Sequence, residues 1–280
     1  MPKMTPIGNE LRAPRTLKQV LSIAGSDSGG GAGIQGDLKA MHANGVFGMT
    51  VITSITAQNS RRVRAVFDLP LEIIEEQIEA IFEDFEVSAV KTGMLSSSEI
   101  VDLVAQKLKT HRAKNLVVDP VMISKSGVEL LRTDAIETIK AKLFPLARLV
   151  TPNALEAQRL SQVKVRGLED AKIAAQTIHD LGCQAVLIKG GHLIEERGCD
   201  LLFDGKTFIP LYGEFIDTPN THGTGCTYAS AIAAHLAKGS DLESAVRAAK
   251  SYTTEAIRNA LTLGHGHGPT HHFYFLSEAR

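Results

Sequence analysis

Val20-Leu21-Ser22-Ile23-Ala24-Gly25-Ser26-Asp27-Ser28-Gly29-Gly30-Gly31-Ala32-Gly33-Ile34-Gln35-Gly36-Asp37-Leu38-Lys39 is an apolar run that breaks into glycines and resumes as a helical segment. A strand, a glycine turn and a helix in that order open a βαβ unit, and so an α/β fold with a parallel sheet. Within the stretch, Gly31 to Gly36 matches G-x-G-x-x-G, the pattern of a dinucleotide-binding turn. That reading needs an acid about 20 residues on to hold a ribose. The next strand runs instead into Thr56-Ala57-Gln58-Asn59, and Gly29-Gly30-Gly31 makes a longer, more open loop than the tight dinucleotide turn. The stretch predicts the layering and argues against a dinucleotide.

Outward from it the alternation continues. Met49 to Thr53, Ala89 to Thr92, Leu116 to Asp119, Leu149 to Thr151 and Ala185 to Lys189 read as further short strands. Between them, Leu71 to Phe85 puts Ile73, Ile74, Ile78, Ile81 and Phe82 on one helical face, expected to be core. Asp204-Gly205 predicts a β-hairpin between strands near Cys199 to Phe203 and Thr207 to Leu211. Gly205-Lys206-Thr207 resembles the end of a P-loop, but Asp200 stands where the upstream glycine belongs. Two alanine-rich helices, about Gly225 to Ala237 and Leu242 to Leu261, are separated by Gly239-Ser240-Asp241, a stop and a cap. No repeat or low-complexity linker intervenes, so residues 18–280 read as one domain after a disordered leader over residues 1–17.

With 280 residues and 44% hydrophobic composition a sizeable core is available. The formal net charge of -1 provides no bulk attraction to nucleic acid or to an anionic membrane, and no apolar run approaches the roughly 20 residues of a transmembrane helix. Cys183, Cys199 and Cys226 are scattered and odd in number, which suits a reducing cytoplasm better than a disulfide framework or zinc site. His265, His267, His271 and His272 lack a Cys or acidic co-ligand, and read as an exposed turn before a docking Phe273-Tyr274-Phe275 rather than a metal site.

Asn220-Thr221-His222-Gly223-Thr224-Gly225-Cys226-Thr227 directly precedes an alanine-rich helix. Glycines let the backbone bend there, and the first free helix N–H groups form an anion hole suited to charge on a transferring phosphoryl group. Cys226 at the same terminus is expected to have a lowered pKa and to take a proton from a substrate hydroxyl. From this turn alone, a small buried cysteine filling a helix–sheet contact is an equal reading. Its company tips the balance. Asp119, the pair Asn153 and Glu156, and Lys189 before Gly190-Gly191 join this turn as four successive strand ends at the carboxyl edge of the sheet, where open α/β folds bind ligands. Asp119 and Glu156 are candidates to hold hydrated Mg²⁺, and Lys189 to neutralise a phosphate. Singly, Asp119 is equally a turn former before Pro120, and Glu156 a first-turn helix acid.

The segments Gly25 to Lys39, Thr56-Ala57-Gln58-Asn59, Lys91-Thr92-Gly93-Met94-Leu95, Asp119-Pro120-Val121-Met122 and His222 to Thr227 together resemble the hydroxymethylpyrimidine/phosphomethylpyrimidine kinases of thiamin biosynthesis. The similarity runs from about Val20 onward and includes Gly264-His265-Gly266-His267-Gly268-Pro269; the family pattern usually has Ser at Gly29 and Ala at Gly36. The resemblance implies a ribokinase-like three-layer sandwich, a mostly parallel sheet flanked by helices. It implies phosphoryl transfer from ATP, with Mg²⁺, to the hydroxymethyl group of 4-amino-5-hydroxymethyl-2-methylpyrimidine and then to the monophosphate, by a homodimer. Catalytic roles fall to Cys226, Gly223, Gly225 and Lys189. The substrate side takes Gln58, Gly25, Asp37, Met94 and Val121, and the nucleotide Asn153, Lys189, Gly190, Thr224 and Gly225. Gln58 suits this independently, since an amide pairs a donor with an acceptor as an aminopyrimidine edge requires. Where the wider superfamily places an Asp as base, this chain has Cys226, as do some related pyridoxal kinases. Pyridoxal kinase activity is therefore the nearest alternative, and a silent metabolite-binding module a more distant one.

Overall fold

A computed structural model describes residues 16–123, 127, 129–192 and 196–276. Nearly all of the expected leader, residues 1–15, lies outside the described residues. The chain runs β1 (Gln19–Asp27), α1 (Gly33–Ala43), β2 (Phe47–Gln58), β3 (Val63–Asp68), α2 (Leu71–Asp84), β4 (Val87–Thr92), α3 (Ser98–Thr110), β5 (Leu116–Val118) and α4 (Thr133–Thr138). It continues through β6 (Leu149–Val150), α5 (Ala154–Ser161), α6 (Leu168–His179), β7 (Val186–Ile188), β8 (Asp200–Phe203), β9 (Phe208–Leu211), α7 (Thr224–Ala237) and α8 (Leu242–Arg258).

The nine strands form one sheet in the order β3-β2-β1-β4-β5-β6-β7-β8-β9. Its middle is parallel from β2 to β7, and both margins are antiparallel. Strand β5 shows why its sequence is apolar throughout: Leu116 and Val118 enter the core under one face while Val117 enters the core on the other. The first core joins the sheet to α2, α3, α5 and α6, the second to α1, α7 and α8. This is the expected three-layer sandwich. In α7 ten of fourteen residues are buried, five of them alanines, which lets the helix lie close against the sheet.

Two expectations change. The core-facing stripe of α2 is narrower than predicted: Ile74 and Ile78 are buried with Ile81 and Phe82 packed beside them, but Ile73 is 47% exposed. It lies about 100° round the helix from Ile74, on the side of Gln77, whose amide is committed to the backbone of Ile52. Second, β3 was not predicted. It pairs antiparallel with β2 at the margin and is mostly exposed, so it carries no buried alternation to betray it. The predicted hairpin is β8–β9, closed by Asp204 Oδ1 accepting the N–H groups of Lys206 and Thr207 around Gly205 at φ +89°.

Candidate active site

The carboxyl ends of the parallel strands open into one cavity of about 640 Å³. From β1 come Gly25 and Asp27, from β2 Gln58, and beyond β4, β5, β6 and β7 lie Met94, Asp119 and Val121, Asn153 and Glu156, and Lys189. The turn before α7 closes the far side with His222 to Cys226. The expectation that this turn is a fourth successive strand end is corrected: the hairpin β8–β9 and the loop after Leu211 intervene. Asp37 and Gly190 are not among the lining residues. Asp37 sits beneath the floor, fully buried, where both carboxylate oxygens accept from Lys91 Nζ at 2.9 Å and Ser22 and Ser230 donate to it. Burial alone would lower the Lys91 ammonium; Asp37, with Cys226 and Asp119, together outweigh it and the net direction is up. The Gly190 N–H donates to Asp200 Oδ1 at 2.8 Å, and Asp200 in turn holds Lys250 at 2.7 Å and the Tyr228 hydroxyl at 3.0 Å.

Lys189 Nζ donates to Asp119 Oδ1 at 2.7 Å, and Thr151 Oγ1 donates to the same oxygen at 3.0 Å. A methyl group on Gly225 would lie 3.4 Å from Lys189 Nζ and 3.6 Å from Asp119 Oδ2, so the helix terminus, the lysine and the acid meet. Asn153 and Glu156 close a capping box on α5: Asn153 Oδ1 accepts from Leu155 and Glu156 N–H, and Glu156 Oε2 accepts from Asn153 N–H. Burial raises the Glu156 carboxyl above its ordinary range despite Lys189, and Asp119 adds to the rise. A hard cation would relieve two carboxylates so placed, and their oxygens suit a Mg²⁺ that keeps most of its water. Among the described residues no group of three or more His, Cys, Asp or Glu could hold an ion.

The residue capping the start of α7 is Gly223, at φ +80°, where any side chain would strike the Gly31 carbonyl. Thr224 turns its hydroxyl to the Thr221 carbonyl at 2.8 Å. Among the described residues no protein acceptor takes the N–H of Gly225 or Cys226, so both remain for a ligand anion. The lowered thiol expected of Cys226 is corrected: burial pushes it up to about 11, Lys91 opposes this, and Asp37 and Asp119 add to it. Desolvation disfavours the thiolate first, and the repulsion of the floor carboxylates disfavours it further.

Around Gln58 lie residues that sequence reasoning did not assign. Asp27 accepts the N–H groups of Gly29, Gly31 and Ala32 and contacts His222 Nε2 at 2.8 Å. Its carboxylate thus fills the amino end of α1, where a dinucleotide would place its pyrophosphate. Lys91 backs the cavity unseen from solvent. Asp27 lies in the segment Gly25 to Lys39 and Lys91 opens the segment Lys91 to Leu95, but only the fold brings Asp27 to His222, 195 residues away. The tail is also less exposed than expected. His272 is buried, its Nε2 is 3.1 Å from Thr227 Oγ1, and its carbonyl accepts from Tyr252.

The profile of the family described as phosphomethylpyrimidine kinase matches residues 27–271. The chain is 45% identical to the hydroxymethylpyrimidine/phosphomethylpyrimidine kinase of Bacillus subtilis, covering 93% of this chain and 96% of that one. It is 47% identical to the thiamine biosynthesis bifunctional protein ThiED of Geobacter sulfurreducens, covering 96% of this chain but only 55% of that longer protein. Its fold is similar to that of Bacillus subtilis pyridoxal kinase, solved as an ADP complex, with a TM-score of 0.87 at 41% identity over 93% of this chain and 99% of that one.

Proposed function

The chain belongs to the phosphomethylpyrimidine kinase family, and from that premise we propose that it phosphorylates 4-amino-5-hydroxymethyl-2-methylpyrimidine and then its monophosphate at the expense of ATP, for thiamin biosynthesis. One observation carries the reading: the unpaired N–H groups of Gly225 and Cys226 meet Lys189 and Asp119 in the same cavity that Gln58 and Met94 line. In the first transfer the hydroxymethyl oxygen attacks the γ-phosphorus, the bond to the β-phosphate oxygen breaks, and ADP leaves. The hydroxyl proton passes to Cys226. The second transfer repeats the displacement with a phosphate oxygen as nucleophile. Lys189 and the N-terminus of α7 hold charge that develops on the equatorial oxygens, a stabilisation that a dry, preorganised site makes large. Gly223 permits the turn, Asn153 and Thr224 shape the nucleotide side with Gly190 acting from behind it through Asp200, and Gly25 leaves room for the Met94 thioether, which a side chain there would strike. Val121 supplies an apolar wall. Asp37 acts from beneath, through Lys91. Asp119 and Glu156 would hold Mg²⁺, which would supply neutralisation of phosphate charge.

The same reading covers one kinase domain over residues 18–280, supported by the single sheet, and a cytoplasmic location, supported by three free cysteines. Among the described residues no helix is long and apolar enough to cross a membrane. A homodimer is supported by an exposed apolar strip across β2 and β3, where Ile55 faces Phe67 and Ala57 faces Ala65. Likeness to a pyridoxal kinase favours one second reading, phosphorylation of a pyridine hydroxymethyl group instead. Mass spectrometry of the product formed from ATP and hydroxymethylpyrimidine tests the proposal: mono- and then diphosphate are expected. No product, or a clear preference for pyridoxal in competition, overturns it.

A further inference from the structure

Gln58 Nε2 lies 3.3 Å from His222 Nε2, and that same ring nitrogen is 2.8 Å from Asp27 Oδ2. Burial opposes ionisation of Asp27, but the His222 hydrogen bond and then the Ala32 N–H outweigh it and hold its carboxyl below the ordinary range. An ionised Asp27 has no proton to give, so His222 Nε2 carries the one between them. A protonated ring nitrogen cannot accept from an amide N–H. A second mismatch lies on the other side of the amide. The Thr56 hydroxyl gives its one proton to the Ser26 carbonyl at 2.9 Å, yet Gln58 Oε1 is 3.4 Å from it with nothing to accept. Both mismatches are relieved when the amide oxygen faces His222, sharing the Nε2 proton with Asp27 as the longer arm of a bifurcated bond, and the amide nitrogen donates to Thr56 Oγ1.

The imidazole is well placed to impose this. Its backbone N–H donates to the Gly268 carbonyl at 3.0 Å, and the ring seats against bare Gly31, where a side chain would collide with it. We infer that Asp27 and His222 are positioning residues that lock the Gln58 amide in one orientation and so make the site select a 4-aminopyrimidine over its 4-oxo analogue. The inference rests on the reading of Gln58 as the pyrimidine contact. With the amide locked, one N–H and one oxygen lone pair remain for the cavity in fixed order. The 4-amino compound offers a ring acceptor beside an amine donor; the 4-oxo compound offers a ring N–H beside a carbonyl, the reverse order. A freely turning amide would take either.

The test compares kcat/KM for the 4-amino and 4-oxo hydroxymethylpyrimidines. The wild type is expected to favour the amine by about 100-fold or more, as sites built on paired hydrogen bonds do. His222→Phe should cut that ratio by about tenfold or more while leaving KM for ATP unchanged, and His222→Gln, which keeps a donor, should restore it. A ratio unmoved in His222→Phe, or equal use of both compounds by the wild type, overturns the inference. Loss of fit alone would slow both compounds together. Long-range ¹H–¹⁵N spectra of the wild type need no variant: a proton on Nε2 is expected at neutral pH, and a ring protonated only on Nδ1 overturns the lock. If the wild type phosphorylates neither pyrimidine, the proposed function fails, and the spectrum still decides the orientation.

Discussion

Cys226 is asked to take a proton while its thiol is pushed up to about 11. At neutral pH the sulfur is then almost wholly protonated, and the small thiolate fraction is a strong base. If that fraction does the work, kcat at saturating substrates must climb as pH rises from about 7 toward 10, because the active form is the deprotonated one below its pKa. Cys226→Ala should abolish the climb and lower kcat by roughly 10²–10⁴-fold, with the KM for ATP little changed. A flat pH profile together with near-wild-type kcat in Cys226→Ala rules out the base role. The identity of Cys226 and its seat at a helix start were legible in the sequence, since both depend on neighbours in the chain. The direction of its shift was not, because Asp37, Lys91 and Asp119 reach the sulfur only through the fold.

Among the elements, α1, β4 and α7 meet at the buried Lys91–Asp37 pair, joined by Ser22 from β1 and Ser230 from α7. Lys91→Met strands a carboxylate in the interior and should cost roughly 3–5 kcal/mol in urea unfolding. The double variant Lys91→Met/Asp37→Asn should recover more than half of that loss; no recovery would mean that Lys91 contributes packing rather than charge. The parallel strands were readable because burial on both faces leaves an apolar run such as Leu116-Val117-Val118. Strand β3 escaped because an exposed margin imposes no such run, and Ile73 misled because helical spacing reports an arc without saying how much of it the sheet covers. The hairpin β8–β9 was legible through Asp204-Gly205, a turn whose chemistry is local.

Across the whole molecule, the segment from Gly264 to His272 ties the two ends of the sheet's working edge together. His267 N–H donates to the Ser60 carbonyl beyond β2, Gly268 binds the turn before α7, and His272 lies against Thr227. Burial, then the charge of Lys39, depresses the His272 imidazole to about 4. The folded state therefore refuses a proton that the unfolded chain accepts. Stability contributed this way is complete above about pH 6.5 and is lost as pH falls from there to about 4, by at most about 3 kcal/mol. His272→Gln should flatten the dependence of the melting temperature on pH in that window; an unchanged slope would place the acid sensitivity elsewhere. The Asp27–His222 contact spans 195 residues of chain. At ribosomal rates roughly 10–40 s separate the emergence of its two halves. The cavity wall around Gln58 is thus completed only after every strand of the sheet has been made: a nascent chain that ends before His222 has all nine strands but neither the ring nor the helix terminus that close the cavity.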